Sequence, residues 1–251
     1  MATPAPSTDD VAQIPEPIPC AYPPAKPPAH VYDTIITVAV GPDDAKKKFE
    51  IYRGLLCHFS SYFDRMLNGS FREGGSTHLR LRDVDAETFH VFYYWLNSGI
   101  VDFTNGDAST PASRIWKNAI DAYIFADFHQ AQVFKNAVFD SLYLFTETSN
   151  IMSTGVTESL YTNTCEQDAM RKFLVYSAAA TFSFDGLKQG GFEDCAKEFL
   201  LDVILACRER KFVPGLSDIE EVTWCTGMRK NFCKEYHIHE EMEGSREKGK
   251  S

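Results

Sequence analysis

The sequence predicts an α/β (α+β) protein in which a small sheet is capped by helices and followed by an all-helical extension. Two observations predict this class. Between residues 34 and 99, runs of β-branched and alternating residues are interleaved with helical spacings. Beyond residue 112, the apolar residues recur only every three or four positions. At 251 residues and 44% hydrophobic content, the chain is long enough to bury a substantial core.

The first elements predicted are a β-hairpin and two short helices. Residues 34–40 are rich in β-branched side chains, and residues 48–52 alternate between polar and apolar side chains. The turn-forming residues 41–44 separate these runs, which favours a hairpin. From Arg53 the apolar residues take helical spacings, and the pair of serines that begins at Ser60 divides them into two helices.

A third strand and a longer series of helices are predicted next. Residues 78–81 alternate like a strand, and Asp85 is placed to cap an amphipathic helix that stops at Gly99. The later helices are predicted to be a helical hairpin followed by two more helices. One group of apolar positions indicates each of these four helices. These positions are Ile115, Ala119, Ala122, Tyr123 and Ala126; Val133, Ala137, Val138 and Leu142; Met170, Phe173, Leu174 and Ala178; and Phe192, Ala196, Phe199, Leu200, Val203 and Cys207.

Charge and cysteine usage exclude several classes of function. The chain has 35 acidic and 25 basic residues, a formal charge of −10, so it is expected to repel nucleic acid and anionic lipid surfaces. No apolar run approaches the roughly 18 residues that a membrane-spanning helix needs. The seven cysteines are scattered, and no signal peptide precedes them, so we expect reduced thiols and a cytoplasmic or nuclear protein. Direct nucleic-acid and membrane partners are not expected.

Several of these segments resemble the BTB/POZ domain, a protein-interaction module. The resemblance is carried by the two hairpin strands, the serine-rich helix start and the third strand with its helix. Later segments are similar to the next family helix and to small stand-alone fungal BTB proteins. The residues concerned are 33–38, 49–56, 60–63, 81–89 and 122–128, and then 161–164 and 171–175.

The resemblance organises the chain into four predicted segments. These are a disordered proline-rich leader (1–29), the BTB/POZ domain (30–145), a helical C-terminal extension (146–240) and a disordered charged tail (241–251). The leader holds nine prolines and few large apolar residues, so it cannot bury enough surface to offset the cost of ordering. The family implies a non-catalytic module that forms homodimers and docks protein partners.

Two charged residues correspond to a pocket found near the dimer interface in several members of the family. By position, Asp33 opens the first strand and Arg53 follows the second, and the resemblance implies that the pair supports a homodimer. The alternative is that Asp33 caps a turn and Arg53 is a solvated charge. A surface pair of that kind contributes at most about 1 kcal/mol.

A second site implied by the resemblance is the loop after the second helix. BTB adaptors of cullin-3 ubiquitin ligases carry a hydrophobic residue and a glutamate there, and Phe71, Arg72 and Glu73 stand at that place. An exposed aromatic anchor beside a charge is typical of an interaction hot spot. The alternatives are that Phe71 packs back on its own domain, and that the protein is a self-associating structural or transcription-regulatory scaffold without a ubiquitin-ligase role.

Catalytic and metal sites are not expected. Cys57 and His58 are neighbours, but adjacent helical residues point about 100° apart, which suits a nucleophile and its base poorly. Cys225, Cys233, His237 and His239 lack the two closely spaced pairs that are usual in structural zinc sites, so their spacing favours buried thiols and a polar tail. We therefore predict no enzyme activity, no cofactor and no metal.

Overall fold

The computed structural model describes residues 16–69, 76–149, 152–181, 195–210 and 218–239. Its strands are β1 (Ile35–Val40), β2 (Lys47–Tyr52) and β3 (His78–Leu81). Its α-helices are α1 (Arg53–Phe59), α2 (Ser61–Asn68), α3 (Ala86–Ser98), α4 (Ala112–Phe128), α5 (Gln132–Ser149), α6 (Thr157–Asn163), α7 (Ala169–Thr181), α8 (Lys197–Arg210) and α9 (Asp218–Tyr236). Two 3-10 turns span Ala29–Val31 and Thr154–Val156. The predicted class, a small sheet with helices and a helical extension, is confirmed.

The sheet of the described chain has the strand order β2-β1-β3. β1 is antiparallel to β2 and parallel to β3, so Val38 lies between Phe49 on one side and Leu79 on the other. These three side chains are buried. Because alternate residues of a strand point to the same face, β1 turns Ile36, Val38 and Val40 inward towards the helices.

Side-chain caps set the starts of α2 and α3. The hydroxyl of Ser60 accepts a hydrogen bond from the Phe63 amide at 3.2 Å and begins α2. The carboxylate of Asp85 accepts from the amides of residues 87 and 88, both at 2.9 Å, as the sequence predicted. α3 ends at Gly99, whose φ of 72° is a left-handed conformation that glycine adopts without a steric penalty.

The core centres on aromatic rings of α2 to α5. Phe92 on α3 is fully buried. Five rings lie with their centroids 4.9 to 6.4 Å from its own, namely those of Phe63, Phe89, Trp95, Phe125 and Phe134. Such pairs add to the free energy gained by burying apolar area. This cluster fixes α2 and α4 against α3.

A buried ion pair connects the domain to the helical extension. Lys135 on α5 places its Nζ 3.3 Å from the Asp168 carboxylate, and both side chains are at most 7% exposed. The hydroxyl of Tyr123 on α4 also donates to Asp168, at 3.1 Å. The same ammonium group lies 2.6 Å from Asp127, which is half exposed. The network therefore joins α4, α5 and the start of α7.

The amino-terminal segment is described from residue 16 onward. Ile18 is buried, and the Sγ atom of Cys20 lies 3.5 Å from that of Cys233 near the end of α9. Ile18 and Cys20 of the predicted leader therefore pack on the body of the protein, whereas most of residues 21–29 are exposed. Residues 1–15 and the predicted tail at 241–251 lie outside the described residues. Among the helices that are described, none is long and apolar enough to cross a membrane.

Candidate partner-binding site

A surface cavity of about 550 Å³ opens between α2, the end of β3 and α4. Part of its apolar wall comes from two residues of α2 and two of α4. We call these four residues the α2–α4 face: Tyr62, Met66, Ile124 and Phe128. The rest of the lining combines further apolar side chains with polar residues, which include residues 82 and 83 after β3 and Asp121 on α4.

Phe128 is the most exposed member of the α2–α4 face. It is 68% exposed, whereas Tyr62, Met66 and Ile124 are half-buried. The centroid of the Tyr62 ring lies 6.0 Å from that of Phe128. An exposed aromatic ring beside partly buried apolar groups and a polar rim has the composition of a protein-interaction hot spot.

His129 holds the end of α4 in place beneath this face. Its ring is buried, and its Nδ1 lies 2.8 Å from the carbonyl oxygen of Phe125. Burial lowers the pKa of the His129 imidazole, so the ring is neutral at pH 7. The hydroxyl of Ser60 donates to the carbonyl of His129 at 2.6 Å. The end of α4 is therefore fixed against the start of α2, which sets the position of Phe128.

The predicted cullin-binding residues Phe71, Arg72 and Glu73 lie outside the described residues. Their segment joins α2 to β3, and both of these elements contribute to the lining of the cavity. The role of residues 71–73 in docking stays a prediction, and the sequence did not single out Phe128.

Asp33 and Arg53 each make a separate contact at the ends of α1 and α2. Asp33 accepts a hydrogen bond from the amide of Gly54 at 2.9 Å. The guanidinium of Arg53 donates to the carbonyl of Leu67 at 2.7 Å, while its Nε is buried without a hydrogen-bond partner among the described residues. The described ion pairs do not include one between Asp33 and Arg53. Their role in a dimer stays a prediction.

An exposed apolar patch lies beside these two residues. Tyr32 and Ile35 are 48% and 52% exposed, and the Tyr32 ring packs edge-on against Tyr52 with 5.5 Å between the ring centroids. We call these three residues the first-strand patch. Sequence reasoning predicted dimerisation through the first strand and first helix near Asp33 and Arg53 but did not name these three residues, because the residue pattern of β1 does not indicate which face stays exposed.

A further apolar stripe lies on α8, outside the domain predicted at 30–145. Leu201, Ile204 and Leu205 are exposed and recur at the spacing of one helical face. Among the positions predicted to form the core of this helix, Phe199 and Val203 are buried. Leu200 and Cys207 are partly buried, and Phe192 lies outside the described residues. The stripe is therefore distinct from the face that packs inward.

The thiol of Cys57 lacks the surroundings of a nucleophile. Its Sγ lies 3.6 Å from the side-chain amide of Asn68 and 4.0 Å from the carbonyl of Phe63. Burial raises the pKa of this thiol to about 11, so it is protonated at pH 7. Among the described contacts of Cys57, none is with the His58 ring.

Three of the C-terminal residues weighed as metal ligands do come together. Cys233, His237 and His239 meet, and their fourth partner is Cys20, more than two hundred positions away in the sequence. The side chain of Cys225 lies outside the described part of the structure. Sequence spacing alone could not pair Cys20 with the other three.

Comparison with known proteins identifies a family for part of the chain. Residues 30–142 match the family model of the BTB/POZ domain. No curated protein matches the chain. The matched range covers the sheet and α1 to α4 and extends into α5. It includes the α2–α4 face and the first-strand patch, and it ends before α8.

Proposed function

We propose that this chain, which carries a BTB/POZ domain at residues 30–142, docks cullin-3 and serves as a substrate adaptor of a ubiquitin ligase. The BTB/POZ domain is a protein–protein interaction module. The observation that carries the proposal is the exposed ring of Phe128 on the α2–α4 face, a group of apolar side chains at a surface cavity of the matched domain. A cytoplasmic or nuclear location, predicted from the reduced thiols, is compatible with this role.

The arrangement of the α2–α4 face supports docking of an apolar partner helix or loop. Tyr62 and Phe128 offer aromatic area, and the buried His129 keeps them from rearranging. Arg82 and Asp83 are exposed at the rim, where charges contribute to orientation and association rate more than to affinity. Phe71 and Glu73 would extend this surface with an anchor and a charge.

We also propose that the protein acts without catalysis. The thiol beside His58 is protonated and has no base among its described contacts. The cavity is open and lined by groups that suit a protein contact. Client recognition would then fall to the helical extension, where the exposed apolar stripe on α8 is a candidate surface.

Replacing the anchors tests the cullin proposal. We expect Phe71→Ala and Phe128→Ala each to weaken binding to the amino-terminal domain of cullin-3 by about 30-fold, the loss of about 2 kcal/mol that defines a hot spot. Glu73→Lys should weaken it as well, because the charge that fixes register is reversed. Titration calorimetry with the full chain measures all three affinities.

Tyr94→Ala is the matched control for these variants. Tyr94 is an exposed aromatic residue of α3 that does not line the cavity, so its removal should leave the affinity unchanged. Thermal unfolding of each variant establishes that the fold is retained. Equal binding by wild type, Phe71→Ala and Glu73→Lys would refute the assignment of this surface.

A second candidate function is self-association as a structural or transcription-regulatory scaffold without a ubiquitin-ligase role. The observation that favours it is the first-strand patch, in which Tyr32 and Ile35 are about half exposed on the domain surface. Asp33 and Arg53 lie beside it and would border a homodimer interface. A cullin-3 adaptor could form the same homodimer. The two proposed functions therefore differ in whether cullin-3 is bound and not in whether the chain dimerises.

Light scattering tests the dimer. We expect the full chain at micromolar concentration to have about twice its 28.3 kDa mass, and Ile35→Glu to shift it to the monomer mass, because a buried charge without a partner disfavours the interface. Ile100→Glu, a change at another exposed isoleucine, is the control and should keep the dimer. A monomeric wild type would contradict this prediction.

A further inference from the structure

Two cysteines and two histidines converge where the amino-terminal segment meets the end of α9. Cys233 lies in the last turn of α9, and the amide of His237 donates to the carbonyl of Cys233 at 3.1 Å, so the helical turn continues. Residues four apart on a helix lie on the same side, which brings this cysteine and histidine together. His239 follows two residues later, and Cys20 arrives from the other end of the chain.

The three distances among Cys20, Cys233 and His239 are those of tetrahedral coordination. The two Sγ atoms of Cys20 and Cys233 are 3.5 Å apart. The Nε2 of His239 lies 3.6 Å from the first and 3.4 Å from the second. With zinc bonds of about 2.3 Å to sulfur and about 2.0 Å to nitrogen, tetrahedral ligands stand roughly 3.3 to 3.8 Å apart. One ligand atom from each of the four residues lies within 4.8 Å of those of the others.

The contacts of the His237 ring are those usual for a histidine that binds a metal. Its Nε2 lies 2.7 Å from the carboxylate of Asp140 on α5. Its Nδ1 is buried and has no hydrogen-bond partner among the described residues. A buried nitrogen without a partner is costly, and a histidine that ligates a metal through one nitrogen commonly engages a carboxylate with the other. The nitrogen left for a metal is therefore Nδ1.

We propose that Cys20, Cys233, His237 and His239 bind a zinc ion. Two thiolates and two imidazoles in a tetrahedral arrangement select zinc among the common divalent cations. Four protein ligands fill the coordination sphere, which is the pattern of a structural and not a catalytic site. The expectation of no metal, which considered the C-terminal residues without Cys20, is replaced by this proposal.

The site would hold the amino-terminal segment at Cys20 and the end of α9 against α5. Arg229 of α9 contacts both the carbonyl of Glu16 and the carboxylate of Glu147 on α5. Next to the cluster, the side-chain amide of Asn136 on α5 donates to the carbonyl of Ile238 at 2.9 Å. These contacts bring the amino-terminal segment, α9 and α5 to one place, and a zinc ion would lock them there.

A disulfide between Cys20 and Cys233 is the competing explanation for their proximity. It would bring the sulfurs to about 2.05 Å and would leave the buried Nδ1 of His237 unexplained. The two explanations make opposite predictions for the reduced protein: a zinc site persists when disulfides are reduced, whereas a disulfide does not.

The test is the zinc content of the full chain, purified under reducing conditions and measured by inductively coupled plasma mass spectrometry. We expect about one zinc per chain, and less than about a tenth of that in Cys20→Ser and Cys233→Ser, because a structural site needs all four ligands. Cys165→Ser, which alters an exposed thiol outside the cluster, should keep the full content. Zinc-free wild type, a Cys20 to Cys233 disulfide in the native protein, or full zinc in Cys20→Ser would overturn the proposal.

Asp140→Asn provides a milder test that leaves all four ligands in place. It should weaken zinc affinity by about 10- to 100-fold, as expected when the carboxylate that orients a ligating histidine is lost. Competition with a chromophoric chelator measures the affinity, and circular dichroism checks the fold. An affinity equal to that of wild type would contradict coordination by His237.

Discussion

Replacing Lys135 with methionine is expected to lower the free energy of unfolding by about 3 to 5 kcal/mol, the cost of leaving one charge of a buried pair uncompensated. Lys135 and Asp168 are 6% and 7% exposed, so the carboxylate of Asp168 cannot regain water when its partner is lost. Tyr123 still donates to it, but a neutral hydroxyl does not replace the ammonium charge.

Urea unfolding followed by circular dichroism measures this change. Lys117→Met is the matched control, because Lys117 pairs with Asp121 at 2.6 Å but is 64% exposed. A surface pair of this kind contributes at most about 1 kcal/mol. Adding Asp168→Asn to Lys135→Met should recover part of the loss, since the orphaned charge is removed. If both lysine variants were equally stable, the ion pair would not be an important link between the domain and its extension.

Phe92→Ala is expected to have a comparable effect, a loss of about 3 to 5 kcal/mol. The ring is fully buried and lies next to five other aromatic rings of the core, three of which belong to α2, α4 and α5. Its removal would leave a cavity that these rings cannot fill without losing contacts with each other. The α2–α4 face should loosen together with the core.

Thermal unfolding of the full chain tests this prediction. Tyr94→Ala, two residues further along α3, removes an aromatic ring of similar size from an exposed position, so its cost should stay below about 1 kcal/mol. The contrast between the two variants separates the contribution of burial from that of helix propensity. A Phe92→Ala protein as stable as Tyr94→Ala would show that the aromatic cluster is not the centre of the core.

The local pattern of the sequence was sufficient to predict most of the described elements. The β-branched residues located β1, and alternation located β2 and β3. The serine break at Ser60 separated α1 from α2, and the cap at Asp85 placed the start of α3, because these signals depend on neighbouring residues only. Two helices were not predicted individually. α6 is only two turns long, and α9 is rich in charged residues.

A signal for α9 was nevertheless present. Met228, Phe232 and Tyr236 recur every four residues, and all three are buried in the structure. The prediction for this segment rested on the spacing of its cysteines and histidines. That spacing does not indicate a helix, so α9 was not predicted.

The candidate sites were harder to predict, because they depend on residues distant in the sequence. Nothing in the local sequence indicates that Cys20 meets Cys233 or that Lys135 faces Asp168. The exposure of Phe128 depends on how α4 packs against α2, which periodicity does not specify. The resemblance to the BTB/POZ family led to the prediction at 71–73, which stays a prediction, whereas the α2–α4 face required the structure.

Sedimentation velocity of the full chain mixed with the amino-terminal domain of cullin-3 tests the proposed docking directly. At equal micromolar concentrations, docking of cullin-3 predicts one boundary that contains both proteins and moves faster than either protein alone. Two boundaries, each at the rate of its separate component, would contradict it.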